Sequence, residues 1–225
     1  MLHTSSRARK AMSDDDDDDE IRVLVKASGD ENAALVRVQV EERGCGVNGE
    51  AVADYESKCN VEPTSQSLWT PLTLASYNGK LGMVEYLVKQ GADKDLGDSM
   101  SGESPLLCAA RCGHQDVTEF LVKAGAKIDK GSNEGGTALH IASFGGHFGI
   151  VQCLVGAGAQ IDKGDNNGDT ALLNAVYSGH SGIVQYLVGA GAQVDKVDNN
   201  GHTALHDAAQ EGHSGIVQHL VGAGA

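Results

Sequence analysis

One phrase recurs along this chain at a fixed interval, and that interval constrains the fold more than any other feature. Thr70-Pro71-Leu72, Ser104-Pro105-Leu106, Thr137-Ala138-Leu139, Thr170-Ala171-Leu172 and Thr203-Ala204-Leu205 follow one another at steps of 34, 33, 33 and 33 residues, each with Ala three residues after its Leu. A glycine column, Gly79, Gly113, Gly146, Gly179 and Gly212, keeps the same steps, and four of these glycines precede a His (His114, His147, His180, His213). Two independent columns in one register define a repeat array, a body in which each unit packs only on its neighbours.

Each unit reads as helix, turn, helix, hairpin. The Thr or Ser stands where a helix N-cap belongs, its hydroxyl able to satisfy an orphan N–H, and Pro71 and Pro105 fall at the first helical position, where no N–H is missed. The helix then carries Leu72, Leu106, Leu139, Leu172 and Leu205 with Ala75, Ala109, Ala142, Ala175 and Ala208 on the same face. The Gly column ends it, because that position favours φ > 0. A second helix follows with a helical apolar stripe, Met83, Val84, Leu87 and Val88 in the first unit and Ile183, Val184, Leu187 and Val188 in the fourth. Gly91, Gly125, Gly158 and Gly191 stop it. Between units lies a turn-rich link such as Asp162 to Asp169, where Asn-Gly and Asp chemistry predicts a tight hairpin.

These residues resemble the ankyrin repeat: Thr-Ala-Leu-His-Ile-Ala at 137–142, Gly-His at 146–147, Ile-Val-Gln-Cys-Leu-Val at 150–155 and Gly-Ala at 158–159. The resemblance covers residues 66–225 as five repeats and implies an all-α solenoid of stacked helix-turn-helix units joined by β-hairpin-like loops. It also implies that His140 and His206, in the family's Thr-x-Leu-His position, brace neighbouring repeats through the imidazole. Thr73, Leu107 and Leu173 stand there in the other units, and weaker bracing is expected at those three.

Composition agrees with thin helical layers. Aromatic residues are 4% of the chain while glycines number 30, so the core is expected to be Leu, Val, Ile and Ala, with no catalytic cavity built around rings. Of the net charge of -14, the run Asp14 to Asp19 with Glu20 supplies seven negative charges, which leaves the array mildly acidic. No basic stripe runs through the repeats, which argues against nucleic acid as a ligand, since such affinity rests on Lys and Arg neutralising phosphates. Five cysteines, an odd count, and no secretory or transmembrane stretch point to a reducing cytoplasmic setting, or the nucleus, with no direct membrane insertion. Either Met1 or Met12 can serve as the start.

Residues 1–20 are expected to form a disordered acidic leader. Residues 21–65 read as a degenerate N-terminal capping repeat, with Val36 to Gly44 as its second helix, or as a small separate element, since Val36, Val38 and Val40 alternate with the period of a strand. At the other end Ala225 aligns with Ala192, so the last unit lacks its closing hairpin while Ile216, Val217, Leu220 and Val221 stay as apolar as in inner units. Terminal repeats normally carry a polar outer face. The chain is therefore read as a monomer or as part of a longer polypeptide.

Candidate chemistry dissolves on inspection. His202 and His206, and Cys108 and Cys112, are four apart, but His202 precedes the N-cap Thr203 and neither pair has further ligands for a zinc site. The Gly156-Ala-Gly158 and Gly189-Ala-Gly191 runs end helices and follow no strand, unlike a dinucleotide loop. Asp165 to Gly168 and Asp198 to Gly201 echo a calcium loop, yet its first position would be Lys163 or Lys196 and its twelfth Asn174 or Asp207, where a bidentate Glu belongs. No catalytic, cofactor-binding or metal-binding residue is assigned.

Function is sought instead at the variable positions. In ankyrin repeats the hairpin tips and the exposed face of the first helix form a concave surface that binds other proteins. Two residues before the Gly column stand Tyr77, Arg111, Phe144, Tyr177 and Gln210, a composition typical of interfaces. Trp69 extends this set or plugs the loop from the N-terminal segment, and Glu134, Asn167, Asp169, Asn200 and His202 are the hairpin candidates. Asn174 and Asp207 replace the apolar residue seen as Leu74 and Ile141, either as buried polar groups or as groove contacts. The expected function is a non-catalytic protein-interaction scaffold. The rival readings are a targeting module of a larger enzyme, ubiquitin-ligase adaptor or channel with its activity beyond residue 225, and an acidic docking tail within residues 1–65 phosphorylated at Ser13.

Overall fold

The computed structural model describes residues 51–52 and 68–225. The expectations for residues 1–20, for Val36 to Gly44 and for Ser13 lie outside them. Among the described residues the first regular element is a two-residue antiparallel ladder, β1 (Ala51–Val52) with β2 (Leu68–Trp69), Ala51 opposite Trp69. Five helix pairs follow: α1 (Pro71–Tyr77) and α2 (Leu81–Lys89), α3 (Pro105–Arg111) and α4 (Gln115–Lys123), α5 (Ala138–Phe144) and α6 (Phe148–Gly156), α7 (Ala171–Tyr177) and α8 (Ser181–Gly189), α9 (Ala204–Gln210) and α10 (Ser214–Gly222).

The punctuation works as its chemistry demands. Thr70 Oγ1 accepts from the Thr73 N–H at 3.0 Å, and Ser104 and Thr170 do the same for Leu107 and Leu173. Thr137 and Thr203 cap within a reciprocal box closed by His140 and His206. At the far end of each first helix the column glycine takes φ between +63° and +75°. That turn lets the next N–H reach back to the Ala column, as His147 does to the Ala142 carbonyl at 2.9 Å and His180 to that of Ala175 at 2.9 Å.

Burial follows the columns. Leu72, Leu106, Leu139 and Leu172 are buried with Ala109, Ala142, Ala175 and Ala208, and Val84, Leu87, Val117, Leu121, Val151, Leu154, Val184 and Leu187 complete one continuous core. Only Leu205, in the last unit, is half-buried. With alanine at the contact, the seven-residue first helices stack more closely than the nine-residue second helices.

The links form a ribbon. Each closes a turn on itself, as Asp165 N–H to Asp169 O at 3.0 Å, and each tip donates to the preceding tip: Asn133 N–H to Ser101 O (2.8 Å), Asn166 N–H to Glu134 O (3.0 Å) and Asn199 N–H to Asn167 O (2.9 Å).

Bracing between repeats is more evenly supplied than the Thr-x-Leu-His column predicts. His140 does bridge, its Nε2 meeting the Asp169 carbonyl at 3.0 Å, but His206, exposed in the last described repeat, meets only Thr203 of its own repeat and stacks on His202. Leu107 and Leu173 fill the same site by burial, and the Thr73 hydroxyl there donates to the Thr70 carbonyl at 2.8 Å. The other histidine column carries the missing bridges: His114, His147, His180 and His213 direct Nε2 to the carbonyls of Tyr77, Arg111, Phe144 and Tyr177, one repeat back, at 2.9 to 3.4 Å. A carbonyl only accepts, so each of these rings holds its proton on Nε2. Three more ladders run at the same step. Asn133, Asn166 and Asn199 donate Nδ2 to Met100, Asn133 and Asn166 carbonyls. The carboxylates of Asp95, Asp129 and Asp162 accept from the Lys127, Gln160 and Gln193 N–H groups. Lys130, Lys163 and Lys196 reach the carbonyls of those same aspartates. Every junction of the array is thus fixed by polar contacts as well as by the core.

Candidate functional site

The residue two before the column glycine is the last of each first helix, beyond the buried Leu and Ala positions. The five side chains of this column do not form one uniform row. Tyr77 is half-buried and packs edge-on against Trp69, ring centroids 5.0 Å apart, so Trp69 belongs to the edge of the same face. The Arg111 guanidinium is engaged in both directions of its fork by Glu103, the buried residue preceding the N-cap of its own helix. Gln210 is exposed and meets Glu211 at 3.2 Å.

Phe144 and Tyr177 differ. Their rings stack across the junction of the third and fourth repeats, centroids 6.4 Å apart and 15° from parallel, and each residue remains 53% exposed. Stacking on each other therefore does not cover them. Their backbones are held by the bridges from His180 to the Phe144 carbonyl (3.0 Å) and from His213 to the Tyr177 carbonyl (3.4 Å), so the pair is presented by a fixed scaffold. A second ring pair, Phe148 and Tyr186, joins the second helices α6 and α8 edge-on with centroids 5.6 Å apart; Tyr186 is partly buried against the core and Phe148 is 41% exposed, and no repeat column marks the pair in the sequence.

The hairpin candidates line the approach. Glu134, Asn167 and Asn200 are exposed at successive tips. Asp165 Oδ1 accepts from the Asn167 and Asp169 N–H groups (2.8 and 2.9 Å), and Asp198 Oδ1 from those of Asn200 and His202 (2.9 and 2.8 Å), so these two aspartates shape the turns. Hydrogen bonds from the His202 backbone hold the Asp198 carboxyl below its ordinary range. Asp169 is different: partial burial, then the neighbouring charges of Asp165, Asp198 and Asp207, push its carboxyl up. Asp207, on α9 one repeat beyond Asn174, is likewise raised by burial and by Asp198, against a lowering by His202. Its carboxylate lies 3.9 Å from His202 Nδ1, and the His202 ring stacks on His206 at 5.8 Å. Asn174 and Asp207 are both partly buried, and the Asp207 side chain keeps 18% of its surface in solvent.

Among the described residues no group of three His, Cys, Asp or Glu side chains is placed to hold a metal ion, and no helix is long and apolar enough to cross a membrane. Cys108 is fully buried, which with the nearby Glu103 and Asp98 pushes its thiol well up and keeps it protonated.

Comparison with known proteins bears on the whole array. A family model described as ankyrin repeats matches in three overlapping stretches, residues 24–132, 72–165 and 139–225. No curated protein gives a significant match.

Proposed function

Since the chain belongs to the ankyrin-repeat family, whose members generally serve as protein–protein interaction modules, we propose that it binds a partner protein through its first-helix and hairpin face, centred on Phe144 and Tyr177. The observation that carries this reading is the exposed ring pair on a braced backbone. Large apolar area already fixed in place binds with little entropic loss, and Tyr is among the residues enriched at hot spots. Trp69 and Tyr77 at one end and the tips Glu134, Asn167 and Asn200 along the side extend the face. The match beginning at residue 24 supports reading residues 21–65 as a degenerate leading repeat.

The test is affinity capture from a cell extract with the full chain, followed by binding of the recovered partner to two variants. Phe144→Ala/Tyr177→Ala is expected to lose at least tenfold in affinity with its circular dichroism intact, because both side chains are exposed. Gln152→Ala/Gln185→Ala, exposed on α6 and α8, is expected to bind as the parent does. The reverse pattern places the partner on the second-helix side and refutes the assignment.

A further inference from the structure

The charge of this array is placed on one side and at one end. Residues 131–225 carry eight acidic side chains against two lysines, Lys163 and Lys196, and no arginine. Both lysines are already occupied by the carbonyls of Asp129 and Asp162. The second helices of this half, α6, α8 and α10, contain no Asp, Glu, Lys or Arg at all. Seven of the eight acidic residues therefore lie in the hairpins, links and first helices, the elements that also carry Phe144 and Tyr177, and the eighth, Glu211, caps the end of α9.

Among these residues two carboxylates stand apart. Asp165 and Asp198 are consumed by the turns, accepting two backbone N–H groups each. Among the described residues the Asp169 carboxylate accepts no hydrogen bond, and that of Asp207 has only His202, at 3.9 Å. Asp169 stands immediately before the N-cap of α7, the helix that ends at Tyr177, and Asp207 lies on the adjoining α9. Seven residues of helix rise about 10 Å, so a side chain resting on the rings and one reaching Asp169 or Asp207 belong to positions a few residues apart on one extended segment.

On the reading of this face as the interface, we propose that the segment it receives is cationic: an extended stretch of the partner with an arginine or lysine set against the Phe144 and Tyr177 rings and a second one at Asp169 and Asp207. Three physical terms act together there. A guanidinium within about 6 Å of an aromatic centroid is attracted by the ring quadrupole. A charge-assisted hydrogen bond to a half-buried carboxylate is stronger than a neutral one. A cation between Asp169 and Asp207 also relieves their mutual repulsion, a gain that a neutral segment does not provide. An acidic segment is repelled by the same carboxylates.

The probe is a random decapeptide display library panned on the full chain, with selected peptides then measured in solution against the parent, Asp169→Asn/Asp207→Asn, Phe144→Ala/Tyr177→Ala and Gln152→Ala/Gln185→Ala. Selected peptides enriched in Arg and Lys, weakened at least tenfold both by the double Asn variant and by the double Ala variant, and weakened further as salt rises from 50 to 300 mM, are the expected result. Peptides without cationic enrichment that depend on Phe144 and Tyr177 but not on the two aspartates overturn the cationic segment and leave the face standing. Peptides lost only in the Gln152/Gln185 variant overturn both. Failure to enrich any peptide overturns the linear cationic segment, while capture of a folded partner remains a separate test of the face.

Discussion

Alanine at Gly146 separates the backbone role of the glycine column from its part in joining repeats. Gly146 has φ +75°, and a Cβ there would stand 2.6 to 3.0 Å from Cε1, Nε2 and Nδ1 of His180. Gly212 has φ +74° with nothing within 4 Å of the same atom. An L-residue forced into the left-handed region costs roughly 1–2 kcal/mol, of which part is returned by the stiffer unfolded chain. Gly212→Ala is therefore expected to cost about 1 kcal/mol. Gly146→Ala carries that cost and also displaces the imidazole from the Phe144 carbonyl, a hydrogen bond of net worth about 1 kcal/mol, for a total of about 2 kcal/mol. The assay is urea unfolding followed by circular dichroism and by the fluorescence of Trp69, the only tryptophan, which reports the first repeat while the dichroism reports the whole array. Placing Gly146→Ala in a His180→Ala background completes the cycle, with an expected coupling of about 1 kcal/mol. A coupling below about 0.3 kcal/mol, with Gly146→Ala no worse than Gly212→Ala, would falsify the claim that the histidine column joins the repeats.

Two further outcomes concern pH. Burial holds the His140 imidazole below its ordinary value of 6.5, with Nδ1 accepting the Thr137 N–H and Nε2 donating to Asp169 O. Its contribution is therefore complete above 6.5 and lost as pH falls through the lowered folded value; His140→Leu, the residue type at 107 and 173, is expected to cost about 1 kcal/mol at pH 7.5 and to flatten the loss of melting temperature between pH 7 and 5. A slope unchanged in the variant means that the ring does not titrate in the fold. Asp207 has the opposite sign, because a carboxyl raised above 3.8 stabilises the fold most when protonated and that stability is lost as pH rises through the folded value. Asp207→Asn, the residue at 174, is expected to raise the melting temperature at pH 7 and to leave it unchanged at pH 3; a gain equal at both would show that charge is not the cause.

What the sequence determined is what recurs. Cap, Leu-Ala face, glycine stop and apolar stripe are local signals whose physics is complete within a few residues, and a fixed step multiplies each of them five times, so helix positions, core and family were legible before any coordinate. The Asn, Asp and Lys ladders were written at the same step, but a polar column does not announce its partner; their hydrogen bonds run between residues 31 to 35 positions apart, which only the stacking brings within reach. The histidine column was visible as Gly-His, while its role was not, because the acceptor is a backbone carbonyl and carries no residue identity. The column of Tyr77, Arg111, Phe144, Tyr177 and Gln210 was equally visible as a row of one kind. Its inequality came from neighbours in space: Trp69 covers one ring, Glu103 occupies the arginine, and Phe144 and Tyr177 stack on each other half in solvent, while the charges around Asp169 come from Asp165, Asp198 and Asp207 on separate links and helices. Exposure and electrostatic field are sums over the surroundings, so tertiary packing alone decides them.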